Sequence, residues 1–170
     1  MLDSAHFFAR CLRYRLHTES LQLRTLANLR LRGATVLDIG ANKGIYSFWL
    51  SRAVGSNGRV LAFEPQPEMV KYIDAKRSLF RLGNVSIYNT ALSTSSGTAA
   101  LLRQRIGDGS ASLQPDRVRD DSQEIRVEVR SLDDFEEASN VAFIKCDVEG
   151  HEIKVFEGAR RLLERDKPVV

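Results

Sequence analysis

This sequence predicts an α/β fold built on a doubly wound, mostly parallel sheet, and three features carry that expectation. Short, largely apolar runs (35–39, 59–63 and 141–147) alternate with longer segments whose apolar residues recur at helical spacing. Small-residue turns such as Gly40-Ala41-Asn42-Lys43-Gly44 and Gly55-Ser56-Asn57-Gly58 join them. Strands without polar alternation belong to sheets covered on both faces, which βα repetition produces.

In chain order, residues 4–15 and 19–31 read as helices, with Leu23, Leu26, Ala27 and Leu31 at helical spacing and Thr18 or Ser20 as caps. Gly33 closes this segment, so residues 1–33 form an N-terminal helical unit ahead of a domain spanning 34–170. A strand at 35–39, a helix from Ile45 to about Val54, a strand at 59–64 and a helix from Glu68 to Leu82 follow. A third strand runs from Val85 to Asn89. Residues 98–102 and 124–130 read as strands flanking a polar loop, and the second alternates Ile125, Val127 and Val129 with charged residues. Such alternation marks a half-exposed antiparallel pair inserted into the βα chain. Leu132 opens a short helix, 141–147 is a strand, and Glu152 to Leu163 is one further helix. The chain stops at Pro168-Val169-Val170, which reads as the start of a strand, so C-terminal strands of the fold are expected to be missing.

Of the 170 residues 43% are hydrophobic and 28% charged, which fits one soluble globular domain and excludes disordered or fibrous classes. No apolar run approaches the ~18–20 residues of a membrane span. The first residues also lack a signal pattern. Together with two unlinked cysteines, Cys11 and Cys146, this places the protein in a reducing cytoplasm. Six arginines against two acids in residues 1–35 hold the whole positive balance of a chain with net charge +3. A solvated helical face accounts for them, and without aromatic–basic interleaving no nucleic-acid partner is expected.

Ligands of such sheets lie beyond the carboxyl ends of the strands. The first end reads Asp38-x-Gly40-x-x-x-Gly44, where glycine permits a tight turn and the next helix offers free amides. A nicotinamide enzyme would place three glycines as Gly-x-Gly-x-x-Gly, which this turn does not. An acid at the strand end suits a cationic amine instead, as in the amino-acid part of S-adenosylmethionine. Glu64 ends the second strand 24 residues after Gly40, where a carboxylate accepts hydrogen bonds from both ribose hydroxyls. Asp147, Glu149 and His151 follow the last apolar strand. Either acid could orient an acceptor or take its proton, and His151 is a candidate base or simply a surface histidine at a helix start. Their alternate spacing splays the side chains, and no metal is expected.

Several ordered blocks carry a family resemblance. Val36-Leu37-Asp38-Ile39-Gly40-Ala41-Asn42-Lys43-Gly44-Ile45-Tyr46-Ser47, Ala62-Phe63-Glu64-Pro65-Gln66-Pro67, Ala91-Leu92-Ser93, Ser131-Leu132-Asp133-Asp134-Phe135 and Ile144-Lys145-Cys146-Asp147-Val148-Glu149-Gly150-His151-Glu152 resemble the FkbM family of S-adenosylmethionine-dependent methyltransferases. The resemblance covers roughly residues 34–170. It implies a Rossmann-like methyltransferase sheet, S-adenosyl-L-methionine as cofactor, and methyl transfer to a hydroxyl of a sugar, glycolipid or polyketide-like small molecule or glycan acceptor.

The expected cofactor residues are thus Asp38, Gly40, Asn42, Gly44, Glu64, Ala91 and Asp147, and the expected catalytic residues Asp147, Glu149 and His151. The loop from Gly107 to Ser122, with Arg103, Arg105, Arg117 and Arg119, is solvated or covers the acceptor. The rival readings are a cofactor-binding but inactive fragment and a nicotinamide-dependent oxidoreductase.

Overall fold

The computed structural model describes residues 2–114 and 121–170, with side chains from residue 4 onward. Helix α1 (Leu2–Arg13) passes through a π-helical turn (Tyr14–Thr18) into α2 (Ser20–Asn28). The domain then runs β1 (Thr35–Ile39), α3 (Ile45–Val54), β2 (Arg59–Phe63), α4 (Pro67–Leu79) and β3 (Val85–Tyr88). β4 (Ala91–Leu92), β5 (Gly97–Arg103) and β6 (Gln123–Arg130) follow, then a 3₁₀ turn at 132–134, β7 (Val141–Cys146), α5 (Glu152–Glu157) and α6 (Arg160–Asp166).

The main sheet has the order β3-β2-β1-β7, with every pair parallel. All five residues of β1 are buried because helices cover both faces of the sheet. On one side Val36, Val60 and Ala62 pack with Phe48, Leu50 and Val54 of α3 and with Phe7, Cys11, Leu23 and Leu26 of the N-terminal helices. Edge-on contacts of Phe48 with Phe7, Phe8 and Phe80 lock α1 onto this layer. On the other side Leu37, Ile39, Leu61 and Phe63 meet Val155, Ala159 and Leu162. The sheet is doubly wound, as the sequence predicts.

The inserted antiparallel pair is β5 with β6, over seven register pairs from Gly97↔Val129 to Arg103↔Gln123. Sequence reading overlooks β4, whose two residues add a parallel neighbour to β6 and complete a second sheet, β4-β6-β5.

The single helix expected from Glu152 to Leu163 is instead two. Gly158 lies so close to the backbone of Ser93 that a Cβ there would fall 2.0 Å from the Ser93 carbonyl oxygen. Its own carbonyl accepts from the Ser131 hydroxyl (2.7 Å) and the Asp133 amide (2.9 Å). Asp133 then caps the new start, accepting from the amides of Arg161 and Leu162, both at 2.9 Å. At residue 169 the chain pairs once with β7: the Ile144 amide donates to the Val169 carbonyl (2.8 Å) and the Val169 amide to Ala142 (3.1 Å). No helix among the described residues is long and apolar enough to cross a membrane.

Candidate functional site

After β3 the chain leaves the main sheet and returns on the far side of β1, so strand order reverses between β1 and β7. That reversal opens a crevice at the carboxyl ends of the strands. Its floor is the contact of Gly40 with Asp147. Gly40 has φ +75°, and a Cβ there would lie 2.0 Å from the Asp147 carbonyl oxygen. The Asp147 amide in turn donates to the Ile39 carbonyl (3.1 Å). Glycine at position 40 therefore lets the two central strand ends close on each other.

Glu64, 3% exposed, ends β2 at the cavity wall. One carboxylate oxygen accepts the Asn42 amide (2.7 Å), the other the Gln66 amide (2.9 Å). Burial pushes its carboxyl group above the ordinary carboxylate range, and these two amides together with Lys145 partly offset that rise. A carboxylate has about four acceptor positions, so capacity for two further donors remains. Asn89 fixes the neighbouring backbone by donating to the carbonyls of Glu64 (3.0 Å) and Pro65 (2.9 Å).

Of the residues that the sequence marks, Gly40, Asn42, Glu64, Ala91, Asp147, Glu149 and His151 all line this one cavity. Asp38 and Gly44 do not. Alternation along β1 turns Asp38 toward α3, where it is fully buried and accepts from the Ser47 hydroxyl (2.6 Å). Gly44, at φ +72°, forms the N-cap of α3 and touches Ile73.

The block after β7 is a tight turn. Glu149 (φ +54°) and Gly150 (φ +95°) are both left-handed, and Glu152 reaches back to accept from the amides of Val148 and Gly150, each at 3.2 Å. His151 pairs through Nε2 with the Ser93 hydroxyl (2.9 Å), while its buried Nδ1 has no hydrogen-bond partner among the described residues. Burial, and secondarily Lys154, lowers the pKa of this imidazole against a smaller opposing effect of Glu152.

Sequence reading assigns no role to Lys145, Gln66 or Asp108. Lys145 bridges the β1 and β7 ends, donating to the Gly40 carbonyl (2.8 Å) with its ammonium 3.5 Å from Asp38 and 3.8 Å from Asp147. Buried Gln66 and Asp108 fasten a strap over the cavity. The Gln66 side chain donates to the Asp108 carbonyl (3.0 Å) and accepts the Gly107 amide (3.1 Å). At its other end the strap is tied by Ser112 to the Glu149 carbonyl (2.8 Å) and by Gln114 to that of Gly150 (3.2 Å). Arg103 serves the base of this strap through a two-pronged pairing with Glu68 (2.8 and 2.9 Å), which holds the Glu68 carboxyl at about 2. The loop that the sequence marks at 107–122 thus covers the cavity as far as residue 114; Arg117 and Arg119 lie outside the described residues. No group of three or more metal-ligating side chains occurs among the described residues.

The family model described as the Methyltransferase FkbM domain matches residues 38–170. A crystal structure of methyltransferase FkbM from Methylobacillus flagellatus KT superposes with a TM-score of 0.59 at 20% identity, covering 83% of this chain and 33% of that one. A tRNA (adenine(57)-N(1)/adenine(58)-N(1))-methyltransferase of Methanocaldococcus jannaschii is 36% identical over 53 residues, 31% of this chain and 18% of that protein. A SAM-dependent methyltransferase from Aquifex aeolicus is 36% identical, with a TM-score of 0.39 over 45% of this chain and 39% of its own. The chain thus spans about a third of the FkbM structure and under a fifth of the curated relative.

Proposed function

The chain belongs to the FkbM methyltransferase family, and from that premise we propose that it binds S-adenosylmethionine in the cavity between β1, β2 and β7 and methylates a hydroxyl oxygen of a sugar, glycolipid or polyketide-like acceptor. The observation that carries this reading is Glu64, buried at the end of β2 with each oxygen on one backbone amide and with capacity left for two ribose hydroxyls. The Gly40 contact with Asp147 supports it, because it leaves backbone rather than side chain at the floor of the cavity.

When bound, the cofactor supplies a methyl group already activated on a sulfonium, so the protein's task is alignment and proton removal. Glu64 holds the ribose, and Asn42 and Ala91 line the nucleoside side. Asp38 acts from behind the site: with Ser47 it fixes Lys145, which clamps the loop carbonyl at Gly40. Asp147 and Glu149 orient the acceptor hydroxyl. With the cofactor held there, the acceptor oxygen would take the methyl group and His151 would receive the proton that the oxygen gives up. Ser93 holds the ring at Nε2 (2.9 Å), and because a hydroxyl both donates and accepts, either neutral tautomer satisfies that contact. The lowered pKa keeps this imidazole neutral at pH 7. Cys11 and Cys146 are free thiols, in keeping with a reducing cytoplasm.

The test is calorimetric titration of the 170-residue chain with S-adenosylhomocysteine and, in parallel, with NAD, followed by transfer of labelled methyl to a panel of hydroxyl compounds. Binding of S-adenosylhomocysteine alone and label appearing in an ether-linked product are expected. Binding of NAD alone would return the chain to the oxidoreductases, and cofactor binding with no turnover on any acceptor would make it a binding module.

A further inference from the structure

Beside the cofactor cavity lies an outer groove that shares Gly40, Asn42, Asp108, Gly109, Asp147 and Glu149 with it. Its far wall is the N-terminal helical unit. The two spaces therefore meet at Asp147 and Glu149, with the groove leading outward from the residues assigned to the acceptor hydroxyl.

Five cations, Arg10, Arg13, Lys43, Arg105 and Lys145, and four acids, Glu19, Asp108, Asp147 and Glu149, line this groove. Its acids are engaged within the protein. Glu19 accepts from the Tyr46 hydroxyl. Asp108 accepts from the Gln104 amide (2.9 Å), the Ser110 amide (3.1 Å) and the Ser110 hydroxyl (2.9 Å). Asp147 stands beside Lys145. The cations are different. Arg10 and Arg13 from α1, Lys43 from the β1–α3 turn and Arg105 from the strap all line the groove. Arg10, Lys43 and Arg105 have no hydrogen-bonded acid among the described residues. Lys43 is half-buried, and after burial itself the neighbouring charges of Arg10 and Arg105 are what most weaken its hold on a proton, against a partial offset from Asp108. Three separate segments thus bring like charges together at the mouth of a site, a repulsion around Lys43 that Asp108 offsets in part and that a bound anion would relieve further.

We infer that this cluster is a subsite for a phosphate group on the methyl acceptor, with Arg10, Lys43 and Arg105 gripping the phosphate while the hydroxyl to be methylated reaches Asp147 and Glu149. The inference rests on the cavity reading above for which end of the acceptor reacts. Guanidinium forks and an ammonium are the donors that match phosphate oxygens, and several cations on one ligand favour a dianion over a single carboxylate. The N-terminal helices, whose arginines read from the sequence as a solvated face, would then form the acceptor wall.

The test is titration of the full chain with pyrophosphate, with acetate as the single-carboxylate control. Wild type and an Arg24→Gln variant, altered on an exposed position away from the groove, should bind pyrophosphate and not acetate. The Arg10→Gln/Arg105→Gln double variant, and separately Lys43→Gln, should weaken pyrophosphate about tenfold or more. Sedimentation with phosphatidylglycerol vesicles tells the source apart: vesicle binding lost in the double variant puts the phosphate on a lipid acceptor, and its absence beside pyrophosphate binding puts it on a soluble one. No pyrophosphate binding, equal binding in the double variant, or acetate binding as tightly would overturn the subsite. Titration with S-adenosylhomocysteine in the same samples reports the cofactor cavity independently, so loss of one result leaves the other standing.

Discussion

Asp38 and Lys145 are register partners across the parallel β1–β7 pair, and the Lys145 ammonium lies 3.5 Å from a fully buried carboxylate oxygen of Asp38 that accepts no hydrogen bond from a described residue. The pair sits directly under the turn at Gly40, whose carbonyl accepts a hydrogen bond from the Lys145 ammonium at 2.8 Å. Removing one member of a buried pair leaves an uncompensated charge, which costs about 3 kcal/mol or more. Lys145→Met, which strands a fully buried carboxylate, should therefore destabilise strongly, whereas Asp38→Asn, which leaves a partly exposed ammonium still 3.8 Å from Asp147, should cost about 1–2 kcal/mol. Urea midpoints of the two variants check this. A smaller loss for Lys145→Met than for Asp38→Asn would mean the ion pair is not what holds the strand ends.

Much of this arrangement is legible in the sequence, and the divide follows a physical line. Gly40, Glu64 and Asp147 are readable because each directly ends an apolar run, and in a parallel sheet such positions share one edge. The orientation of Asp38 is not, because one step of strand alternation decides whether it meets a ligand or α3. Lys145 reads as part of an apolar run until register sets it opposite Asp38. The break at Gly158 has its cause in the backbone of Ser93 and the side chain of Asp133, far away along the chain. Gln66 and Asp108 acquire meaning only once the strap folds back, through the paired amides of Leu102 and Ser112, over the cavity.

Gly40→Ala should abolish binding of S-adenosylhomocysteine and lower the stability of the fold. The added methyl would stand 2.0 Å from the Asp147 carbonyl, and backbone rather than a flexible side chain must yield. Gly33→Ala is the control. Gly33 has a similar φ of +77° but nothing within 4 Å of the added carbon, so it pays only the left-handed penalty of about 1–2 kcal/mol. Equal effects of the two substitutions on binding would show that close approach at position 40 is unimportant.

Glu64→Gln tests the ribose assignment. An amide offers only one acceptor oxygen, so the amide of Asn42 or Gln66 loses its partner and one ribose hydroxyl loses its acceptor. Affinity for S-adenosylhomocysteine should fall about tenfold or more, an effect of ~1.4 kcal/mol or greater. An unchanged affinity in calorimetry would remove Glu64 from the binding site.

His151 predicts a dependence on pH whose sign follows from its surroundings. Burial and the nearby Lys154 lower its pKa in the folded chain below the ordinary value of 6.5. A depressed pKa means that the folded state prefers the neutral ring. The stabilisation it provides is complete above the unfolded value and is lost as pH falls through the folded one. Urea midpoints of the wild type should therefore drop on acidification from about pH 7 toward pH 5, in a range above most carboxylate titrations. In His151→Gln that part of the drop should vanish, leaving the carboxylate contribution at lower pH. The same neutral ring sets the acid limb of methyl transfer below 6.5, so turnover at pH 6.5 should exceed half its plateau. Identical stability slopes in wild type and variant, together with an acid limb above 6.5, would contradict both the buried neutral state and the role of His151 as base.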